Sequence, residues 1–159
     1  MDVVVARQLA RERHAGQRDR LGRPIFEHLE RVVARVPPRV QPLAWVHDLL
    51  ERTTTDVGEL RSYGLRATEE SALVLLTRRP EVTFELYLLQ IAHAPGLAGE
   101  FARVVKIADL EDHVEDQHQG HFVLGAPPYR WGLHHLRGRP VPSWSADDHW
   151  FAAPARVSA

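Results

Sequence analysis

The chain has 159 residues, no cysteine, and 20 basic against 21 acidic side chains, for a formal net charge of -1. Its 44% hydrophobic and 26% charged content is that of one soluble globular domain with a sizeable core. The charge balance excludes an overall field for nucleic acid or an anionic membrane surface, and the missing thiols exclude disulfides, thiolate metal sites and cysteine nucleophiles. Any metal must be held by nitrogen and oxygen. No apolar run approaches bilayer-spanning length, and charge interrupts the N-terminal stretch too early for a signal peptide, so the expected location is cytoplasmic.

From Val3 to His14, the apolar residues Val4, Val5, Leu9 and Ala10 alternate with arginines at helical spacing, and Gly16 offers a stop. Gln17 to Pro24 is a polar loop in which Gln17, Arg18, Arg20 and Arg23 suit either phosphate or solvent. Ile25 to Val36 resumes the helical period through Phe26, Leu29, Val32 and Val33 and stops before Pro37-Pro38. His28 rides on this helix, where a lone histidine is more often a hydrogen-bonded structural group than a ligand.

Pro42 to Glu51 reads as one buried helix, with Leu43, Val46, Leu49 and Leu50 on its apolar side and His47-Asp48 inside it. Burying an ionised carboxylate beside an imidazole is costly unless both are paired or hold a cation. Glu51 falls over the same patch, four residues after His47 and three after Asp48. Two candidate ligands and a nearby acid/base thus share one surface. The helix runs out at Thr53-Thr-Thr-Asp56, residues that favour caps over helix interiors.

Asp56 to Tyr63 predicts a short helix capped by Thr55 or Asp56 and closed by Gly64. Thr68 is expected to cap Glu69 to Arg78, with acid at the start and Arg78-Arg79 at the end, as the helix dipole prefers. Thr83 should cap Phe84 to His93, between the breaks at Pro80 and Pro95-Gly96, and His93 at the helix end reads as structural. Leu97 to about Asp116 is the longest helical pattern, its inner side marked by Phe101, Val104, Val105, Ala108 and Val114. Asp109 interrupts the apolar run Val104 to Leu110, and a carboxylate so placed needs a metal or Lys106. Glu111 to His121 crowds carboxylates with His113, His118 and His121, either a solvated acidic helix end or a second metal site.

Pro127-Pro128 can open a last helix through Trp131, Leu133 and Leu136, closed by Gly138 and Pro140. Residues 139–159 are rich in Pro, Ser and Ala and are expected to be an irregular tail. Trp144, Trp150 and Phe151 would pack on their own domain or on a second chain in a homo-oligomer. With no alternating strand pattern, the expectation is an all-α single domain of seven or eight helices over residues 1–138, followed by the tail.

Three stretches, in order, carry a resemblance. His14-Ala-Gly-Gln-Arg-Asp-Arg-Leu-Gly-Arg-Pro-Ile-Phe-Glu-His28, His47-Asp-Leu-Leu-Glu-Arg-Thr53 and Lys106-Ile-Ala-Asp109 resemble motifs of HD-domain metal-dependent phosphohydrolases. They are most similar to the (p)ppGpp hydrolase domain of RelA/SpoT-type and small stand-alone alarmone hydrolases of the stringent response. The resemblance spans about residues 5 to 117 and implies a compact helical HD-domain fold. It also implies one divalent ion, commonly Mn2+, held by His28, His47, Asp48 and Asp109. Two imidazoles and two carboxylates equally suit Fe2+, Co2+ or Zn2+.

In the family, water attacks the 3′ phosphorus of guanosine tetra- or pentaphosphate and pyrophosphate leaves. Glu51 would position that water or carry its proton, and Arg52 stands at the second catalytic acidic position with its charge reversed. Arg18, Arg20, Lys106 and His113 would meet the substrate. His113 replaces an asparagine of the family, Ile25 a tyrosine, and Asp19-Arg20 an arginine-lysine pair. The expected function is therefore hydrolysis of a phosphorylated nucleotide, (p)ppGpp first, with another nucleotide or a cofactor such as NADPH as the alternative substrate. The competing class, motivated by Arg52, is a module that binds a nucleotide or partner protein without turnover. Neither nucleic acid nor a membrane is expected as a partner.

Overall fold

The computed structural model describes residues 1–118 and 128–138, with the backbone alone at Gln117 and His118. The helices are α1 (Val3–Arg13), α2 (Ile25–Ala34), α3 (Gln41–Val46), α4 (Leu49–Arg52), α5 (Val57–Ser62), α6 (Ala67–Leu76), α7 (Phe84–His93), α8 (Gly96–His118) and α9 (Tyr129–Leu136). A 3-10 turn, Pro38–Val40, precedes α3. Taking α3 and α4 as one interrupted helix leaves eight, and no strand occurs among the described residues. The all-α expectation is met. The expectations for His121, Pro127, Pro140 and the aromatic residues of the 139–159 tail lie outside the described residues.

Packing is organised on α3 and α8. Pro42, Leu43, Ala44, Trp45 and Val46 are all buried, and α3 touches α1, α2, α6 and α8. Six residues are too few to hold a helix in isolation, so α3 owes its stability to these neighbours. Phe26 stacks on Trp45 with ring centroids 5.1 Å apart, and Arg7 and Arg11 close over the pair from α1. On α2 the buried residues Ile25, His28, Leu29, Val32 and Val33 form an uninterrupted helical stripe. The periodicity that builds the core therefore also turns His28 inward.

Two sequence expectations are corrected. The continuous helix over Pro42 to Glu51 is interrupted at His47-Asp48, although both residues keep right-handed dihedrals (φ -60°, ψ -30° and φ -93°, ψ -7°). The cause is local. His47 Nδ1 lies 2.8 Å from the Ala44 carbonyl oxygen, the group an unbroken helix would offer to the Asp48 amide. The second correction concerns α6, which begins at Ala67 with Arg66 as its cap residue instead of Thr68 and ends before Arg78-Arg79. Glu69 reaches back to accept from the Arg66 amide at 2.9 Å and also meets the Met1 amino group at 2.7 Å. That buried carboxylate does the capping.

The other ends follow the sequence. Asp56 caps α5, Gly64 closes it at φ +87°, and Thr83 caps α7. The loop before α2 is closed by a bridge between Arg18 and Pro24, and Arg23 clamps it to α8 through a bidentate pair with Asp116 at 2.6 and 2.8 Å. Gly132 sets how closely α9 approaches: a Cβ there would collide with Leu88 Cδ1 of α7 and come within 3.2 Å of Leu110 Cδ1 of α8.

Candidate metal centre

The buried stripe of α2, the interruption after α3 and the inner face of α8 bring His28, His47, Asp48 and Asp109 together. All three of His28, His47 and Asp109 are at most 5% exposed. Asp109 Oδ1 is the common point: His28 Nε2 lies 3.3 Å from it, His113 Nε2 3.3 Å and His47 Nε2 4.0 Å. His47 Nε2 is in turn 3.4 Å from Asp48 Oδ1. Two trios, His28/His47/Asp48 and His28/Asp109/His113, each place their donor atoms within 4.8 Å of one another.

His28, His47, Asp48 and Asp109 each have a second heteroatom pointing outward, and those outward contacts are short. His28 Nδ1 meets Asp112 Oδ2 at 2.8 Å, and Asp48 Oδ2 meets Arg52 Nε at 2.6 Å. Asp109 Oδ2 accepts from Lys106 Nζ at 2.6 Å, and His47 Nδ1 donates to the Ala44 carbonyl at 2.8 Å. These are ordinary lengths for charge-assisted or strong hydrogen bonds. The inward spacings of 3.3 to 4.0 Å are longer. Donors held about 2.1 Å from a single ion stand about 3.0 Å apart at right angles and about 3.4 Å apart at the tetrahedral angle.

One atom decides the fit. His47 commits Nδ1 to the Ala44 carbonyl, and its buried Nε2 has no hydrogen-bond partner. A buried nitrogen left so would be costly, and a cation satisfies it. The partners of the other nitrogens are those that fix the tautomer of metal-binding histidines. These buried His and Asp groups could therefore hold a metal ion.

The electrostatics show what the site does without one. Burial works to lower the His28 pKa, but Asp109 and Asp112 on its two nitrogens hold it up at about 9. Burial would raise Asp48, yet His47, Arg52 and His28 keep it at about 2. Asp109, raised by burial, is driven well below the usual carboxylate range by Lys106 and His113. Lys106, which burial pushes down, is carried above its ordinary value by Asp109 and Tyr87, whose ring lies 5.1 Å from its Nζ. A divalent ion entering here would take the place of a proton on His28.

The remaining expected residues take different places. Glu51 is exposed and accepts a hydrogen bond from the Arg78 amide, tying α4 to the segment after α6. Arg52, 46% exposed, is the counterion of Asp48. Arg18 donates to the Gly22 carbonyl at 2.6 Å, whereas Arg20 is exposed and close enough for its charge to act on Tyr129. Lys106 is largely buried on Asp109. His113 stacks with His28 (ring centroids 5.1 Å) and Tyr129 of α9 (4.5 Å).

Three residues at the site were not singled out from the sequence. Asp112, 2% exposed, binds His28, Arg31 and Arg35 at 2.7 to 3.0 Å. Its signal was its place one turn after Asp109 on the same buried face. His14, 3% exposed, donates from Nδ1 to Gln17 Oε1 at 2.8 Å, and Gln17 Nε2 donates to the Arg52 carbonyl at 2.9 Å. It continues the buried stripe of Ala6 and Ala10. Tyr129 had no local signal, because only the packing of α9 brings it here. Compared with known proteins, the chain matches no protein-family model, and no curated protein is significantly similar to it.

Proposed function

We propose that the protein is a metal-dependent phosphohydrolase of the HD type, acting on a phosphorylated nucleotide, with guanosine 3′,5′-bis(diphosphate) the leading substrate and Mn2+ the leading ion. The observation that carries this reading is the unpartnered His47 Nε2, buried among inward-facing donors of His28, Asp48 and Asp109. A divalent ion held there would polarise a phosphoryl oxygen and lower the pKa of a water. The chain's own groups supply the rest. Asp48, Asp109 and Asp112 are each neutralised on an outer oxygen by Arg52, Lys106 or the Arg31/Arg35 pair. Adding a dication therefore makes the site cationic, and an anionic phosphate is the complementary ligand. Arg20 at the rim and the half-exposed Arg52 are the cations positioned to orient it. Glu51 is the acid/base of this reading and must leave the Arg78 amide to serve.

A second reading has its own observation. Arg52 lies 2.6 Å from Asp48, where the resemblance leads one to expect a second acid, and Glu51 is engaged elsewhere. That favours a nucleotide-binding module without turnover. Phosphate and pyrophosphate release from ppGpp and a panel of other nucleotides by metal-free protein, with and without added Mn2+, separates the two. Mn2+-dependent pyrophosphate release from ppGpp supports the hydrolase. Tight nucleotide binding with no release from any substrate abandons it for the binding module.

A further inference from the structure

His113 shares the feature that distinguishes the inward contacts from the outward ones. Its Nε2 stands 3.3 Å from Asp109 Oδ1, the same spacing as His28 Nε2, and longer than the 2.6 Å of the true ion pair between Lys106 and the other Asp109 oxygen. His28, Asp109 and His113 form a second trio whose donor atoms lie within 4.8 Å of one another, and His28 belongs to both trios. The His113 ring lies nearly parallel to those of His28 and Tyr129, at interplanar angles of 23° and 13°. Packing against the Tyr129 ring, 4.5 Å away, limits how far His113 can turn and so restricts the Nε2 direction before any ligand arrives. A single carboxylate oxygen faced by three imidazole nitrogens also cannot bond them all well. A shared cation beside that oxygen can.

Given a cation at the centre, as proposed above, we infer that His113 is a fifth protein donor to it. The set is then three imidazoles and two carboxylates. Imidazole-rich sets favour borderline ions, so His113 would strengthen the hold on Fe2+, Co2+ and Zn2+ more than that on Mn2+, the leading ion of the proposed function. In this arrangement His113 acts on the ion and is not the direct substrate contact that its sequence position suggested.

The test is metal binding by the full chain, read by calorimetry and by the visible absorption of bound Co2+, for the natural sequence, His113→Asn and His113→Ala. The natural sequence should bind one Co2+. Both variants should lose about tenfold or more in Co2+ affinity and shift the visible band, while Mn2+ affinity changes less. Zn2+-loaded natural protein, examined by X-ray absorption, should show three imidazoles about the ion, which needs no variant to fold. Unchanged Co2+ affinity in both variants would overturn the inference, as would lower affinity with an unmoved band, since His113 would then only brace Asp109. Two imidazoles about Zn2+ would overturn it as well. If the natural sequence binds neither Co2+ nor Zn2+, the metal centre itself falls, a result distinct from the others.

Discussion

The two halves of the centre are built differently. On the α2/α8 side, His28, Asp109 and Asp112 lie on the buried stripes of two regular helices, and Asp112 alone is gripped by His28, Arg31 and Arg35. On the α3/α4 side, His47 and Asp48 occupy an interruption between two short helices, and the partner of Asp48 is a half-exposed arginine. The first half is over-determined: each charge has several partners and little water. In the second half, the arginine that pairs with Asp48 stands 46% exposed. A site that must both persist and admit a ligand can use such a division, with one wall fixed and the other adjustable.

Asp112→Ala should break the fixed half most severely. It leaves His28, Arg31 and Arg35 facing an empty buried position, and urea unfolding of the metal-free protein should show a loss of about 3–5 kcal/mol. A loss below about 1 kcal/mol would mean that the network is ornamental and that the two halves do not differ. The metal response separates the halves at intermediate size. At a free ion concentration of about 100 times its Kd, the natural sequence should gain about 2.7 kcal/mol of stability. Asp48→Asn should abolish that gain at a smaller cost to the metal-free protein than Asp109→Asn, whose carboxylate is held further below its ordinary range. Equal behaviour of the two variants in thermal melts would erase the distinction. The smallest effect belongs to Arg52→Ala. Its pair with Asp48 is largely open to solvent on the arginine side, so metal-free stability should change by less than about 1 kcal/mol.

The architecture was legible where it depends on periodicity and simple caps. The apolar stripe of α2 placed Leu29, Val32 and Val33 in the core, and Thr83 marked the start of α7 to the residue. What stayed hidden turns on side chains that compete with the backbone. Nothing in Pro42 to Glu51 distinguishes a histidine that leaves the Ala44 carbonyl alone from one that takes it, yet that choice interrupts the helix. At α6, Thr68 had the better capping chemistry, but the carboxylate of Glu69 reached back further. The ordered motif residues His28, His47, Asp48 and Asp109 do meet. Asp112 was absorbed into an apparently solvated acidic run, although its spacing from Asp109 put it on the inner face. Tyr129 depends on a helix that follows in sequence and returns in space.

That return rests on Gly132. The helix carrying Tyr129 lies so close to α7 and α8 that even a methyl group at this position meets the fully buried Leu88. In evolutionary terms, positions 88 and 132 are not free to drift separately. A lineage that acquires alanine at 132 must shorten or re-rotate Leu88, or it pushes α9 outward and slackens the packing of Tyr129 on His113. Metal preference would then be inherited through a packing pair that touches no ligand.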